Sequence, residues 1–308
     1  MSDKETVGYI GLGNMGAPMT RNLLKAGYPV LVHDLDPARM EALANEGAST
    51  ADSPAEVARQ VSVVFSSLPT TQSVEEVVKG ANGIAEGGQS GLIYIDTSTI
   101  PPPVCAHLAD VLKPKGIDML DAPVTGGKAG SAAGTLGIMV GGNRVSYEKC
   151  LPLFEAIGRV IRHFGEKVGS GMHAKMANQI MVAINLAAVA EAIAYGAKAE
   201  LDLDLLVEIL KSGRAASEQL NVNSPGILDD NLEEVAAMGP MTLLHKDMEC
   251  IVESMAAMGV TESFSKQIRD KYQILIDRDR GKREVARDCM GLLYLAEEEF
   301  DVKVVSGD

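Results

Sequence analysis

The 308-residue sequence has four cysteines, Cys105, Cys150, Cys250 and Cys289, and none of them forms a C-x-x-C pair. That removes the usual zinc-ribbon and dithiol signatures. Thiols scattered in this way fit a reducing compartment. No stretch reaches about 18 apolar residues without interruption, so no transmembrane helix is expected. The N-terminus, MSDKETVGYIGLG, has neither a basic region nor a long apolar core, so no secretory leader is expected. Internal repeats and low-complexity segments are absent. Positive charge is also short: 28 Lys and Arg stand against 42 Asp and Glu, a net charge of −14. A surface of that sign repels phosphate backbones, which argues against nucleic acid as a partner. A local cluster of donors can still hold a small anion inside an acidic protein. What is present, 46% hydrophobic and 23% charged residues, is close to the globular average and excludes disorder. The length suits one large domain or two ordinary ones. The expectation is a cytoplasmic protein with no membrane or nucleic-acid partner.

The first half alternates short apolar runs with helical stretches. Strands are predicted at Val7–Ile10, 30–34, 61–68, 92–98, 119–124, 135–142 and 160–165. Helices are predicted between them at 14–25, 37–45, 74–79, 103–112 and 144–157. Continuous apolar strands separated by helices point to a parallel sheet covered on both faces. From about Ser170 the pattern is helix after helix: 170–200, 203–212, 241–258, 262–277 and 283–299. The boundary is placed near 165–169. The domains are therefore 1–167, built on the sheet, and 168–308, all helical and entered through one long helix.

Gly11-Leu12-Gly13-Asn14-Met15-Gly16 is a G-x-G-x-x-G that follows a strand and opens a helix. Gly11 permits the tight turn, Gly13 leaves room for a pyrophosphate, and Gly16 lets the helix approach the sheet. Asp34 ends the second strand, 18 residues after Gly16. A carboxylate there bonds the ribose hydroxyls of NAD and repels the 2′-phosphate of NADP. Arg39, five residues on, keeps NADP open. Two further strand ends, Ser66-Ser67-Leu68-Pro69 and Asp96-Thr97-Ser98-Thr99, are either lining for the cofactor or turn and cap residues.

Thr125-Gly126-Gly127 follows the strand predicted at 119–124. Such a loop either turns backbone amides toward one point, as an anion nest does, or serves as a flexible crossover. Farther on, Lys175, Asn178, Gln179 and Val182 recur at i, i+3, i+4 and i+7, so they share one helix face. Their neighbours are small or apolar. Lys175 either snorkels to water or is desolvated in a cleft, which lowers a lysine pKa toward the range that acid–base chemistry needs.

Four stretches together carry a family resemblance: GYIGLGNMGAPMTRNLLKAG, DAPVTGGKAGSAAGTL, GSGMHAKMANQ and the HKD at 245–247. The chain resembles the β-hydroxyacid dehydrogenases, the group of 3-hydroxyisobutyrate dehydrogenase and tartronate semialdehyde reductase, from about Thr6 to Glu299. The resemblance implies an α/β fold: a Rossmann-type doubly wound sheet, then an all-α C-terminal domain joined by a long inter-domain helix. It implies that Gly11, Leu12, Gly13, Asn14, Met15, Gly16, Leu68, Pro69, Thr99 and Lys246 touch the cofactor; Asp34, read above as the ribose ligand, favours NAD over NADP. By the same resemblance Thr125, Gly126, Gly127 and Gln179 hold the substrate, and Lys175 and Asn178 are catalytic. No metal is implied. The implied activity is hydride transfer between a small 3-hydroxy acid and its semialdehyde or 3-oxo acid. A relative acting on a sulfonate- or amino-substituted hydroxy acid, and an inactive dinucleotide sensor, are the alternatives. Thr125 replaces the usual serine, and Gln179 stands where many members have a second asparagine. The apolar long helix and the helix-rich second half lead to the expectation of a homodimer or homotetramer.

Overall fold

A computed structural model describes residues 4–228, 241–278 and 291–304. The chain divides into two compact units, Met1–Lys175 and Met176–Asp308.

The first unit is built on one sheet. Its strands are β1 (Val7–Ile10), β2 (Val30–His33), β3 (Ser49–Thr50), β4 (Val63–Ser66), β5 (Ile93–Asp96), β6 (Asp118–Asp121), β7 (Val124–Thr125), β8 (Leu136–Gly142) and β9 (Gly158–Gly165). Six of them run parallel in the order β3-β2-β1-β4-β5-β6, the strand order of a dinucleotide-binding doubly wound sheet. Strands β1, β2, β4 and β5 are buried along their whole length, which explains their uninterrupted apolar sequences. Their side chains alternate between two cores. Tyr9, Phe65 and Ile95 pack on one face with Met19, Leu23 and Phe154. Val64 and Tyr94 pack on the other with Val74, Val78 and Leu108.

The helices of this unit are α1 (Gly16–Lys25), α2 (Pro37–Ala44), α3 (Pro54–Gln60), α4 (Thr71–Lys79), α5 (Ile84–Gly87), α6 (Pro102–Leu112), α7 (Gly127–Ala133) and α8 (Arg144–Ile157). Side chains start several of them. Asp36 accepts from the Ala38 amide, Ser53 from Glu56, and Thr70 and Ser73 form a capping box.

The sheet departs from the sequence expectation at its far edge. Strand β8 runs antiparallel to β6 and to β7, because the chain leaves β6, passes through β7 and α7, and folds straight back. Strand β9 then pairs parallel to β8. The two-residue strands β3 and β7 are too short for an apolar period to reveal.

Helix α9 (Ser170–Lys198) begins in the first unit and continues through the second. The second unit adds α10 (Leu203–Ser212), α11 (Glu218–Leu228), α12 (Met241–Ala257), α13 (Phe264–Arg278) and α14 (Gly291–Phe300). Leu186, Val189, Ile193, Leu220, Ile251, Tyr272 and Leu293 form its core. Helix α11 is not legible from periodicity, because Pro225 lies inside it and proline argues against a helix interior. The start of the helix predicted at 283–299, and Cys289, lie outside the described residues.

Helix α9 also corrects the expectation about membrane-length segments. Lys175, Asn178, Gln179, Asn185 and Glu191 break every long apolar run, yet the helix is long and apolar enough to cross a membrane by length and composition, with a mean hydropathy of 1.8 over an 18-residue window. Ala183, Leu186, Ala190 and Ile193 are nevertheless core residues of the second unit, as in the central helix of a globular domain.

Candidate active site

The glycine loop after β1 is shaped by close approaches. Gly11 has φ +88°, and a Cβ there would collide with the Ser67 carbonyl, so no other residue fits. A Cβ on Gly16 would strike the Gly11 carbonyl. A Cβ on Gly13, by contrast, would meet only the Arg39 guanidinium, at 3.8 Å. The loop is thus crowded behind and open in front, and α1 starts without a side-chain cap. That is the form of an anion cradle at a helix N-terminus.

Asp34 is fixed beside it. Its Oδ2 accepts from the Leu12 amide at 2.6 Å and its Oδ1 from the Asp36 amide at 2.9 Å. Arg39 approaches Asp34 at 3.7 Å and Asp36 at 3.3 Å. These residues fit a dinucleotide: glycine backbone for the pyrophosphate, and a held carboxylate where a ribose diol would lie.

The two serine-rich strand ends form one buried network. Ser66 Oγ donates to Asp96 Oδ1 at 2.8 Å, and Ser98 Oγ donates to the same oxygen at 2.6 Å. Ser98 Oγ accepts from the Leu68 amide at 2.9 Å, and Thr97 Oγ1 donates to the Ser66 carbonyl at 2.6 Å. Ser66, Asp96, Thr97 and Ser98 are buried, so their hydroxyls hold the strand ends together. Thr99 is half-buried and Pro69 exposed.

Thr125 ends β7, opposite Gly137 of β8. Gly126 has φ +120° and Gly127 φ +61°, conformations that favour glycine. The segment is therefore a defined turn into α7. Sequence reading missed what anchors that helix: Ser131 Oγ donates to the Met15 carbonyl at 2.9 Å, and Asn22 Nδ2 donates to the Ser131 carbonyl at 2.7 Å. Both bonds tie α7 to the nucleotide loop and α1. Their only signal was polar side chains among small or apolar residues.

Lys175 is buried, 8% exposed. Its Nζ donates to the Val124 carbonyl at 2.9 Å, which brings the ammonium beside the Thr125–Gly127 turn. Of the two readings of this lysine, burial is the one observed. Sequence reading also passed over Asp121. It is fully buried and accepts from the Gly169 and Met172 amides, both at 2.7 Å. Its carboxyl is pushed up to about 6: burial raises it most, the two amides offset part of that rise, and nearby Asp96 adds to it.

In the second unit, Asn178 Nδ2 donates to Gln179 Oε1 at 2.9 Å, and Gln179 Nε2 donates to Asp247 Oδ2 at 2.6 Å. Lys246 Nζ lies 3.6 Å from Asp247 Oδ1. Gln179, expected on the substrate, is thus engaged with Asp247. Among the described residues no cluster of three or more His, Cys, Asp or Glu side chains is placed to hold a metal ion.

Residues 6–165 match the family model for the NAD binding domain of 6-phosphogluconate dehydrogenase. Residues 169–288 match that for the NAD-binding region of NADP-dependent 3-hydroxyisobutyrate dehydrogenase. A 3-hydroxyisobutyrate dehydrogenase of Pseudomonas aeruginosa is 40% identical over 277 residues, 89% of this chain and 93% of that protein. An NAD-dependent L-serine dehydrogenase of the same organism is 35% identical over 90% of this chain and 94% of that protein. Among solved structures, a Mycobacterium tuberculosis 3-hydroxyisobutyrate dehydrogenase with L-serine superposes with a TM-score of 0.84 at 27% identity. That match covers 95% of this chain and 99% of the other. With a glycine cradle, a held carboxylate and a buried lysine in place, and with this likeness along nearly the whole sequence, the chain belongs to the β-hydroxyacid dehydrogenase family of NAD(P)-dependent oxidoreductases acting on CH–OH groups.

Proposed function

We propose that the protein interconverts a small 3-hydroxy acid and its semialdehyde or 3-oxo acid, with Lys175 as general acid–base and NAD preferred to NADP. The observation that carries the reading is Lys175 itself, buried and bonded to the Val124 carbonyl at 2.9 Å, next to a glycine turn. A buried amine can shuttle a proton where a snorkelling one is levelled by water. The relatives named for 3-hydroxyisobutyrate and L-serine both take 3-hydroxy acids.

The cofactor, when bound, supplies the hydride acceptor or donor. Gly11, Leu12, Gly13, Asn14, Met15 and Gly16 would hold its pyrophosphate and Asp34 its ribose, with Leu68, Pro69, Thr99 and Lys246 as further contacts. Thr125, Gly126 and Gly127 bind the substrate carboxylate; the left-handed backbone of the two glycines supports this, since such turns gather amides. In oxidation, neutral Lys175 takes the hydroxyl proton while the carbon loses its hydride; in reduction it returns the proton. Asn178 orients the reacting oxygen. Gln179 contributes on the substrate side by holding the Asn178 amide.

Replacing Lys175→Ala is expected to lower kcat by about 10²- to 10⁴-fold and to leave NAD affinity nearly unchanged. Retention of most of kcat overturns the assignment. A panel of short 3-hydroxy acids, with L-serine and a sulfonate analogue included, assayed with NAD and NADP, identifies the substrate. The L-serine relatives favour an amino-substituted acid as the second reading. Clear NAD binding without turnover of any panel member makes the protein a dinucleotide sensor instead. The same reading makes the protein a cytoplasmic homodimer or homotetramer, supported by the buried thiols of Cys105, Cys150 and Cys250 and by apolar side chains exposed on the second unit.

A further inference from the structure

We propose that Asp121 is a positioning residue that sets Lys175 for proton transfer by clasping the start of the helix that carries it. This rests on the assignment of Lys175 as the acid–base.

Two parallel ties join the same two chain segments. Asp121 accepts from the amide of Met172, and three residues later on both segments the Val124 carbonyl accepts from Lys175 Nζ. The second Asp121 oxygen takes the Gly169 amide. Both carboxylate oxygens are therefore spent on the start of α9, one on Gly169 just before it and one on Met172 in its first turn, where amides have no partner inside the helix and the helix dipole favours a negative charge.

The seat is built for this contact. A Cβ on Gly141 would collide with Asp121 Oδ1, and one on Gly171 would collide with the Met139 carbonyl and come within 2.9 Å of Asp121 Oδ2. Gly169 itself takes φ +101°. Three glycines thus let the helix start lie against β8 with the carboxylate between them. A rotation of that first turn carries Lys175 away from Val124 and from the turn at Thr125. Retaining a fully buried carboxylate, whose carboxyl is pushed up by burial, is what a demand for fixed geometry explains.

The test compares Asp121→Asn with wild type and sets it in a double-mutant cycle with Lys175→Ala. Asparagine keeps the size but turns one acceptor into a donor facing an amide. Asp121→Asn is expected to lower kcat by about 10- to 100-fold, the scale of a misplaced catalytic group, while the dissociation constant for NAD changes less than about threefold. On the Lys175→Ala background the same substitution is expected to change the residual rate less than about twofold, because groups that act through one another do not add. Multiplying losses in the cycle, or a parallel loss of NAD binding, reduce Asp121 to a structural residue and overturn the proposal. A wild-type kcat in Asp121→Asn overturns it while leaving Lys175 its role. A wild-type kcat in Lys175→Ala removes both. If Asp121→Asn does not fold, Asp121→Ser, smaller and with one acceptor oxygen, carries the same comparison.

Discussion

Two buried or held carboxylates illustrate how single residues set chemistry here. Asp34 cannot swing aside for a phosphate, because backbone amides hold both of its oxygens. Arg39, the residue that would receive a 2′-phosphate, is drawn to Asp34 and Asp36 instead. Asp34→Ser removes the repulsion and releases Arg39 from one partner. The ratio of kcat/KM for NADP to that for NAD is expected to rise about 10- to 100-fold, which is about 1.4 to 2.8 kcal/mol; an unchanged ratio means Asp34 does not select the cofactor. Asp121 has a consequence for stability. Its carboxyl lies at about 6 in the folded protein against a reference of 3.8. Between those values the native state binds the proton and the unfolded state does not, so stability falls as pH rises from about 4 to about 6 and is flat above. The shift corresponds to on the order of 3 kcal/mol. Urea unfolding across that range should show wild type losing stability relative to Asp121→Asn; a constant difference would mean that the buried carboxylate ionises without cost.

At the scale of elements, a polar contact ties α9 to α12 in the second unit, Gln179 to Asp247. Asp247 is 8% exposed, so removing it leaves the Gln179 amide without its acceptor in a partly buried place. Asp247→Ala is expected to cost about 1–3 kcal/mol in unfolding free energy. A loss below about 0.5 kcal/mol in chemical denaturation would show that the contact is not structural. The family resemblance placed Gln179 on the substrate, and the i, i+3, i+4 spacing put it on the face of Lys175 and Asn178. Periodicity fixes direction around a helix axis, but it carries no information about a partner 68 residues away. The same limit explains Asp121 and Ser131, whose partners are backbone groups of distant segments. The parallel strands and Gly11, Gly13 and Gly16 were legible, because continuous apolar runs and a G-x-G-x-x-G spacing between a strand and a helix are local facts. Helix α3 was legible too, since Ser53-Pro54 with Glu56 is a capping signature, yet it went unread beside the stronger strand at 61–68. The reversal of β8 was not legible, because an apolar strand carries no mark of its direction.

For the whole molecule, charge and apolar surface oppose each other. A chain of net charge −14 repels its own copies. Yet the second unit exposes Met181 and Tyr195 of α9 at 61% and 63%, and Leu205 and Ile209 of α10 at 63% and 66%. Leu205 and Ile209 are one turn apart and share a face, as do Met181 and Tyr195 to within about 40° around their helix at 3.6 residues per turn. Withdrawing one such side chain from water stabilises association by about 1.5–3 kcal/mol, and several together exceed a repulsion that salt screens within about 10 Å at 0.1 M. Self-association is therefore expected to persist at micromolar concentration in 0.1 M salt and to weaken as salt is removed. Light scattering should give twice the mass of one chain or more, and Leu205→Asp with Ile209→Asp should shift the protein toward the monomer while NAD binding to the first unit survives. A monomer at micromolar concentration in 0.1 M salt would mean that these apolar faces stay open to water, and the homo-oligomer would have to be abandoned.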